Sequence, residues 1–332
     1  MGVSDPAGEL LIWTISDGRA GIDNQVLGLA EAIAEMIPCK IKSFLAPRTS
    51  LLSLLTANRP LPGMEDGWPK LLICCGQSSL PYAKAMRKWS NGQTFCIQLQ
   101  APRRPLKQFD MVIAPNHDQL DGENVLSIIG ATNRISKSRL AKARETFAEQ
   151  INQLPCPRLA VVIGGNSKRH KLTKEKFKEL RLHLERLAKT NVSLMITTSR
   201  RTPGFAKRAL RRRLGKRENV WLWTGAKKDG DNPYMAFLDA ASAVIVTSDS
   251  TNMLTDGASA GKPVLMFRLD GEDGKFSDLH DELAAKNLVH PFTGSLATWD
   301  VEPLAETRRA AEEVLRRFYG HLKPDPEAFH RA

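Results

Sequence analysis

Five consecutive polar residues, Ser248, Asp249, Ser250, Thr251 and Asn252, follow the apolar, β-branched residues 244–246 and Thr247, and Asp256, Gly261 and Pro263 come after them. Hydroxyl and carboxylate side chains after a buried strand are helix caps, and a strand that feeds a helix leaves free N–H groups and a positive dipole end at the carboxyl edge of a sheet. The chemistry this suits is the holding of a phosphate. Asp256 falls inside the short helix that Gly261 and Pro263 bring to an end, placed to meet the hydroxyls of a ribose beside that phosphate. Two other loops repeat the pattern. Gly164, Gly165, Asn166 and Ser167 follow the apolar residues 159–163, and Ser199, Arg200 and Arg201 follow residues 192–197. Small residues let the backbone approach a diphosphate, and an arginine fork adds charge-assisted hydrogen bonds of about 1.5–3 kcal/mol each. The competing reading is a set of capped βαβ units with no ligand. Neither a Walker A sequence nor the dinucleotide glycine spacing is present.

The amino-terminal half carries the candidates for proton transfer. His117 beside Asp118 pairs an imidazole that titrates near neutrality with a carboxylate able to raise its pKa, and Asp23 is the rival base. A plain turn explains His117 and Asp118 equally. Gly18, Arg19 and Gly21, with Asn24 and Gln25, form a loop expected to face an acceptor or a donor phosphate, the alternative being a tight βα turn. Gln77 and Ser78 top another strand as acceptor contacts or as helix caps. His280 with Asp281 reads as a capped surface turn, and Trp221 and Trp223 as core side chains.

These loops need a scaffold that presents strand ends. Short apolar runs near residues 10–15, 41–45, 70–75, 94–98, 111–114 and 125–129 alternate with helical patterns, as in a parallel, doubly wound sheet. Pro155 and Pro157 break the chain, and the alternation restarts at 159–163, 192–197, 220–223, 244–246 and 264–267. Thr173 is a predicted N-cap, and Thr202 with Pro203 a predicted cap and first-turn pair. The fold class expected is α/β, with two doubly wound, Rossmann-like domains facing a cleft. Their expected bounds are 1–154 on the acceptor side and 155–303 for the nucleotide. A last helix within 304–332 can return to either domain, the amino-terminal one being the placement taken.

Composition narrows the partners. The formal net charge of +12 comes from one segment, since residues 151–217 hold 19 Lys+Arg against 3 Asp+Glu while residues 218–332 hold 12 against 19. Such concentration points to an anionic partner, a nucleotide diphosphate or an acidic membrane surface, more than to a solvated face. Nucleic acid is excluded because almost no aromatic side chains interleave with the charges. No apolar run approaches the ~20 residues a membrane helix needs. Five cysteines without a CxxC pair suit a reducing compartment and no metal site. With no secretory signal in residues 1–9, a cytoplasmic location follows, with peripheral attachment to the inner face of the membrane.

Ser248, Asp249 and Ser250, then Asp256, then Gly261, Lys262, Pro263 and Val264 resemble the nucleotide motif of GT-B glycosyltransferases and non-hydrolysing UDP-N-acetylglucosamine 2-epimerases. In those families an acidic residue, usually Glu, holds the ribose, and Asp256 stands at that position. A longer resemblance joins Asp17, Gly18, Arg19, Ala20 and Gly21 with Asn24 and Gln25, residues 100–104, and Pro115, Asn116, His117 and Asp118. It continues through Gly164 to Ser167, Ser199 to Pro203, and Ser248 to Ser250. Together these are similar to the mitochondrial-fission protein family of the elongated-mitochondria type, whose bacterial members look like GT-B proteins. For plant members the resemblance implies recruitment of a dynamin-related protein to the outer mitochondrial surface. The short amino terminus suits a bacterial member. The expected function is transfer of a sugar from a nucleotide sugar, bound as substrate with no further cofactor, to an acceptor. The alternative is a non-catalytic adaptor acting through a protein or a membrane surface.

Overall fold

The computed structural model describes residues 9–47, 60–64 and 67–322, so the readings made on the first eight and last ten residues lie outside it. Among the described residues the chain forms two compact units, one of residues up to Arg134 together with those from Ala305 onward, the other Ile135–Leu304.

In the first unit, β1 (Leu10–Ser16), β2 (Cys39–Leu45), β3 (Leu71–Cys75), β4 (Phe95–Leu99), β5 (Met111–Pro115) and β6 (Val125–Ile128) make one parallel sheet in the order β2-β1-β3-β4-β5-β6. Every residue of β3, β4 and β5 is buried, as expected of strands covered on both faces. Alternation sorts them: Leu71, Ile73 and Cys75 share a cluster with the buried side of α1 (Ala20–Ala34), while Leu72 and Cys74 join one with α2 (Leu80–Trp89).

The second unit repeats the plan. Its strands are β7 (Arg158–Ile163), β9 (Ser193–Thr198), β10 (Val220–Trp223), β11 (Ala243–Thr247), β12 (Val264–Phe267) and β14 (Val289–Pro291). They pair in parallel in the order β10-β9-β7-β11-β12-β14. Helices α3 (Lys137–Thr146), α4 (Ala148–Asn152), α5 (Lys174–Leu187), α6 (Gly204–Arg213), α7 (Tyr234–Ala240), α8 (Thr251–Ser259) and α9 (Phe276–Ala285) cover it. A short antiparallel ribbon, β8 (His170–Lys171) with β13 (Asp270–Gly271), lay below what periodicity can show.

The compact units divide the chain earlier than the proline break. Helix α3 belongs with α7, where Arg144 stands 3.9 Å from Asp239, and so it falls in the second unit although it precedes Pro155 and Pro157. The last helix, α10 (Glu306–Leu322), buries Ala310, Ala311, Val314 and Phe318 in the cluster that holds α1, and Phe318 meets Phe95 at 6.1 Å. Thr173 caps α5 as the sequence predicts, its hydroxyl accepting from the Lys176 N–H at 3.2 Å.

Candidate functional site

In the second sheet the order reverses between β7 and β11, because the chain runs outward from β7 through β9 to β10 and then returns on the other side of β7. A topological switch point of this kind opens a crevice at the carboxyl ends of the strands. The loops that follow β9, β7 and β11 come from three adjacent strands, which stand roughly 4.8 Å apart. They are the three loops singled out in the sequence. Ser250 caps α8, its Oγ accepting from the Met253 N–H at 3.4 Å, so the first N–H groups of that helix point out of the sheet edge.

The three loops are tied together by one carboxylate. Asp249 has a fully buried side chain. Its Oδ2 accepts from the Gly165 N–H at 2.9 Å and pairs with Arg201 at 2.8 Å, and its Oδ1 accepts from the Thr247 hydroxyl at 2.7 Å. The Thr247 oxygen in turn accepts from the Gly164 N–H at 2.7 Å. Asp249 therefore spans all three loops as a brace, where the sequence offered it as a helix cap. The glycines have a related reason. A Cβ on Gly164 would stand 2.1 Å from Asp249 Oδ1, and one on Gly165 would stand 2.2 Å from the Arg201 carbonyl oxygen. The space their missing side chains leave is filled by the protein itself.

Other side chains are part-engaged. Asn166 Oδ1 accepts from the Leu172 N–H at 3.0 Å, Ser167 Oγ from the His170 N–H at 3.0 Å, Ser199 Oγ from the Arg201 N–H at 3.1 Å, and Ser248 Oγ from the Leu269 N–H at 3.1 Å. The Ser167 and Ser248 hydroxyls each carry a proton to donate, while that of Ser199 faces the Thr202 oxygen at 3.2 Å. Thr202 is not a helix cap. Its hydroxyl reaches the Ile163 carbonyl at 2.9 Å and the Gly164 carbonyl, and so fastens the β9 loop to the end of β7. Arg200 is exposed, Asn166 is exposed, and Thr251 and Asn252 are half-buried at the start of α8. Asp256 sits one turn further on and is buried, its Oδ2 accepting from the Tyr234 hydroxyl at 2.8 Å. Burial raises its carboxyl to about 7, against a smaller lowering by that hydrogen bond, while burial beside Asp256 pushes the Tyr234 phenol well above its usual range.

Beside this edge lies a cluster that the sequence reading missed. Asp273 accepts from His170 Nε2 at 2.8 Å, stands 3.4 Å from His280 Nδ1 and pairs with Arg268. Burial works to raise the Asp273 carboxyl, but the His170 hydrogen bond and the charges of His280 and Arg268 outweigh it and hold it low. His280 is 2% exposed, so it is not the surface turn expected. Burial lowers its pKa although Asp273 opposes the shift. The cluster locks the β8–β13 ribbon, and with it Ser167 and Leu269, against α9. Separations in sequence of more than a hundred residues hid it.

The first unit has its own switch point between β1 and β3, where the loops after Ser16 and after Cys75 emerge. Asp23, in the first turn of α1, accepts a hydrogen bond from the Ser16 hydroxyl. Arg19 is exposed and grips the Asp17 carboxylate through Nε and Nη2, which raises its own pKa. Gly18 and Asn24 are exposed and Gly21 half-buried. Gln25 is buried and its Oε1 accepts from Gln100 Nε2 at 3.1 Å, while Gln77 is exposed and Ser78 buried. His117 is buried at the end of β5, with Nε2 4.0 Å from Asp118 Oδ1. Strands β1 and β5 are separated by β3 and β4, so the strand ends that lead to Asp23 and to His117 lie roughly 14 Å apart. Among the described residues no group of three or more His, Cys, Asp or Glu is arranged to hold a metal ion.

Two six-stranded parallel sheets, each with helices on both faces and a switch point in its strand order, define a GT-B-like fold. Solved structures agree: UDP-GlcNAc 2-epimerase from Methanocaldococcus jannaschii aligns with a TM-score of 0.62 at 10% identity, covering 94% of this chain and 100% of that one. A putative UDP-N-acetylglucosamine 2-epimerase from Listeria monocytogenes aligns at 0.57 and 12% identity over 94% and 96% of the two chains. The Neisseria meningitidis UDP-GlcNAc 2-epimerase, whose structure is bound to UDP-GlcNAc, aligns at 0.56 and 13% identity over 94% and 100%. The chain belongs to the Mitochondrial fission ELM1 family, which matches residues 20–318. It is 29% identical over 278 residues to Mitochondrial fission protein ELM1 of Arabidopsis thaliana, a match that takes in 76% of this chain and 64% of the plant protein. Uncharacterized protein RP120 of Rickettsia prowazekii is 24% identical over 91% of this chain and 97% of its own length.

Proposed function

We propose that the second unit binds the diphosphate and ribose of a nucleotide sugar and that the protein transfers the sugar to an acceptor. One observation carries the reading. Three adjacent strand ends at a topological switch point present the free N–H groups of α8, the exposed Arg200 and the hydroxyls of Ser199 and Ser250 to one edge. The diphosphate is held by α8 and Arg200, while Arg201 is already shared with Asp249. Asp256 meets the ribose, with Tyr234 holding its carboxylate in place. His117 with Asp118 is the proton-transfer pair of the first unit, and Asp23 is its rival. Relatives in fold that are described as bound to UDP-GlcNAc support the ligand class by analogy.

Calorimetric titration with nucleosides, monophosphates, diphosphates and their sugars tests this. Arg200→Ala and Ser250→Ala are expected to weaken diphosphate binding by roughly tenfold or more, the worth of one charge-assisted hydrogen bond, and to leave nucleoside binding almost unchanged. If the wild-type protein binds no nucleotide at millimolar concentration, the second reading replaces the first. That reading is a non-catalytic adaptor, and membership of the fission family favours it.

We also infer peripheral attachment to an anionic membrane. No described helix is long and apolar enough to cross a bilayer, and Arg212 and Arg213 at the end of α6 are exposed. Co-sedimentation with phosphatidylserine vesicles should fall steeply between about 50 mM and 500 mM salt. Equal binding to neutral vesicles would count against it.

A further inference from the structure

A cavity of the second unit lies away from the phosphate loops. It has a volume of about 470 Å³, and none of residues 164–167, 199–201 or 248–256 lines it. Its walls include Gln153 just after α4, Arg211 on α6, Val220, Trp221 and Leu222 of β10, and Lys228. Successive residues of a strand point to opposite faces of a sheet. Trp221 packs toward the α4 and α7 side, against Phe147 and Phe237 at 5.8 and 4.8 Å. Leu222 packs into the cluster that contains α6. A cavity that touches both residues, and both covering layers, therefore runs along the edge of the strand.

β10 is the edge strand of its sheet, bonded to β9 on one side. The Leu194 N–H donates to the Asn219 carbonyl at 2.8 Å. By the alternation of a parallel ladder, Trp221 and Trp223 also turn their polar backbone groups toward β9, and Leu222 turns its N–H and C=O outward into the cavity. The charge that flanks the lining in sequence is positive. Lys228 lines the cavity, and Arg212, Arg213 and Lys216 are exposed close by in sequence. Arg211 is matched by Asp229, which leaves Glu218 as the acidic residue of the lining.

We propose that this edge takes up an extended, acidic segment of a partner protein, added to the sheet as a further strand beside β10. Main-chain hydrogen bonds to Leu222 hold the segment, alternate apolar side chains settle against Trp221 and Leu222, and carboxylates meet Lys228 and the α6 arginines. The proposal is independent of the nucleotide reading, because it shares no residue with it.

The probe is a fluorescein-labelled hexapeptide of alternating Glu and Val, compared with one of alternating Lys and Val. The acidic peptide should bind saturably to the full-length protein, slow amide exchange across Val220–Trp223, and lose about tenfold in affinity between about 50 and 300 mM salt. The basic peptide should not bind. Lys228→Glu should weaken binding about fivefold or more, the scale of a lost partly desolvated ion pair. Leu222→Pro should abolish it by removing the outward donor, a change that edge strands tolerate better than central ones. Absence of binding at millimolar peptide, or binding that leaves β10 exchange unchanged, overturns the proposal. So does acidic-peptide binding that survives both variants and is displaced by phosphatidylserine vesicles, which would make the surface a lipid site.

Discussion

Asp249→Ala is expected to lower the stability of the second unit by about 2–5 kcal/mol, the largest loss of any single substitution at the nucleotide edge. The alanine leaves the buried Gly165 N–H without an acceptor and the Thr247 hydroxyl without its oxygen partner, at about 1–3 kcal/mol for each stranded group. Loss of the Arg201 pair adds less, because that guanidinium is 40% exposed and solvent screens it. For a unit of this length a loss of this size shifts the melting temperature by roughly 5–15 °C. Asp249→Asn keeps one acceptor oxygen and should fall between the two. Thermal unfolding followed by circular dichroism checks the series. Wild-type-like melting of Asp249→Ala would show that the three loops hold their places without the carboxylate.

That role was half legible in the sequence. The strand-turn-helix rhythm around 244–267 fixes where the loop lies, because buried parallel strands and a serine-capped helix leave strong local signals. Thr173 and Ser250 were readable as caps for the same reason, since a cap acts within three residues. Asp249, Thr202 and the His170–Asp273–His280 cluster were not. Each joins elements from 38 to 103 residues apart, and which carboxylate turns inward depends on strand order rather than local pattern. Gly164 and Gly165 illustrate the ambiguity: a missing Cβ looks the same in sequence whether a ligand or a neighbouring side chain occupies its place. The grouping of α3 is a long-range feature of the same kind. Pro155 and Pro157 break the chain locally, whereas α3 joins the second unit through a contact with α7, Arg144 beside Asp239, ninety-five residues away in sequence.

Asp256→Asn is expected to do the opposite of Asp249→Ala and stabilise the protein, by an amount that depends on pH. Burial raises the carboxyl from the ordinary aspartate value of about 3.9 to about 7, so between those values the folded state holds a proton that the unfolded state has released. Stability contributed by this group therefore falls as pH rises from about 4 to about 7 and stays low above that, by on the order of 4 kcal/mol in all. Asparagine carries no charge to bury and can still accept the Tyr234 hydrogen bond. Its gain should be several degrees in melting temperature at pH 8, less than half as large at pH 5, and absent near pH 4. A buried carboxylate held by one phenol is a costly arrangement, and such arrangements cluster at binding and catalytic sites. On the proposed function, ribose hydroxyls would be the donors that complete it. Ligand binding should then tighten as pH rises through 7, as the carboxylate forms, and Asp256→Asn should weaken nucleoside, monophosphate and diphosphate alike while abolishing that pH dependence. A variant that gains stability at pH 8 yet binds nucleotide as the wild type does would confine Asp256 to the core.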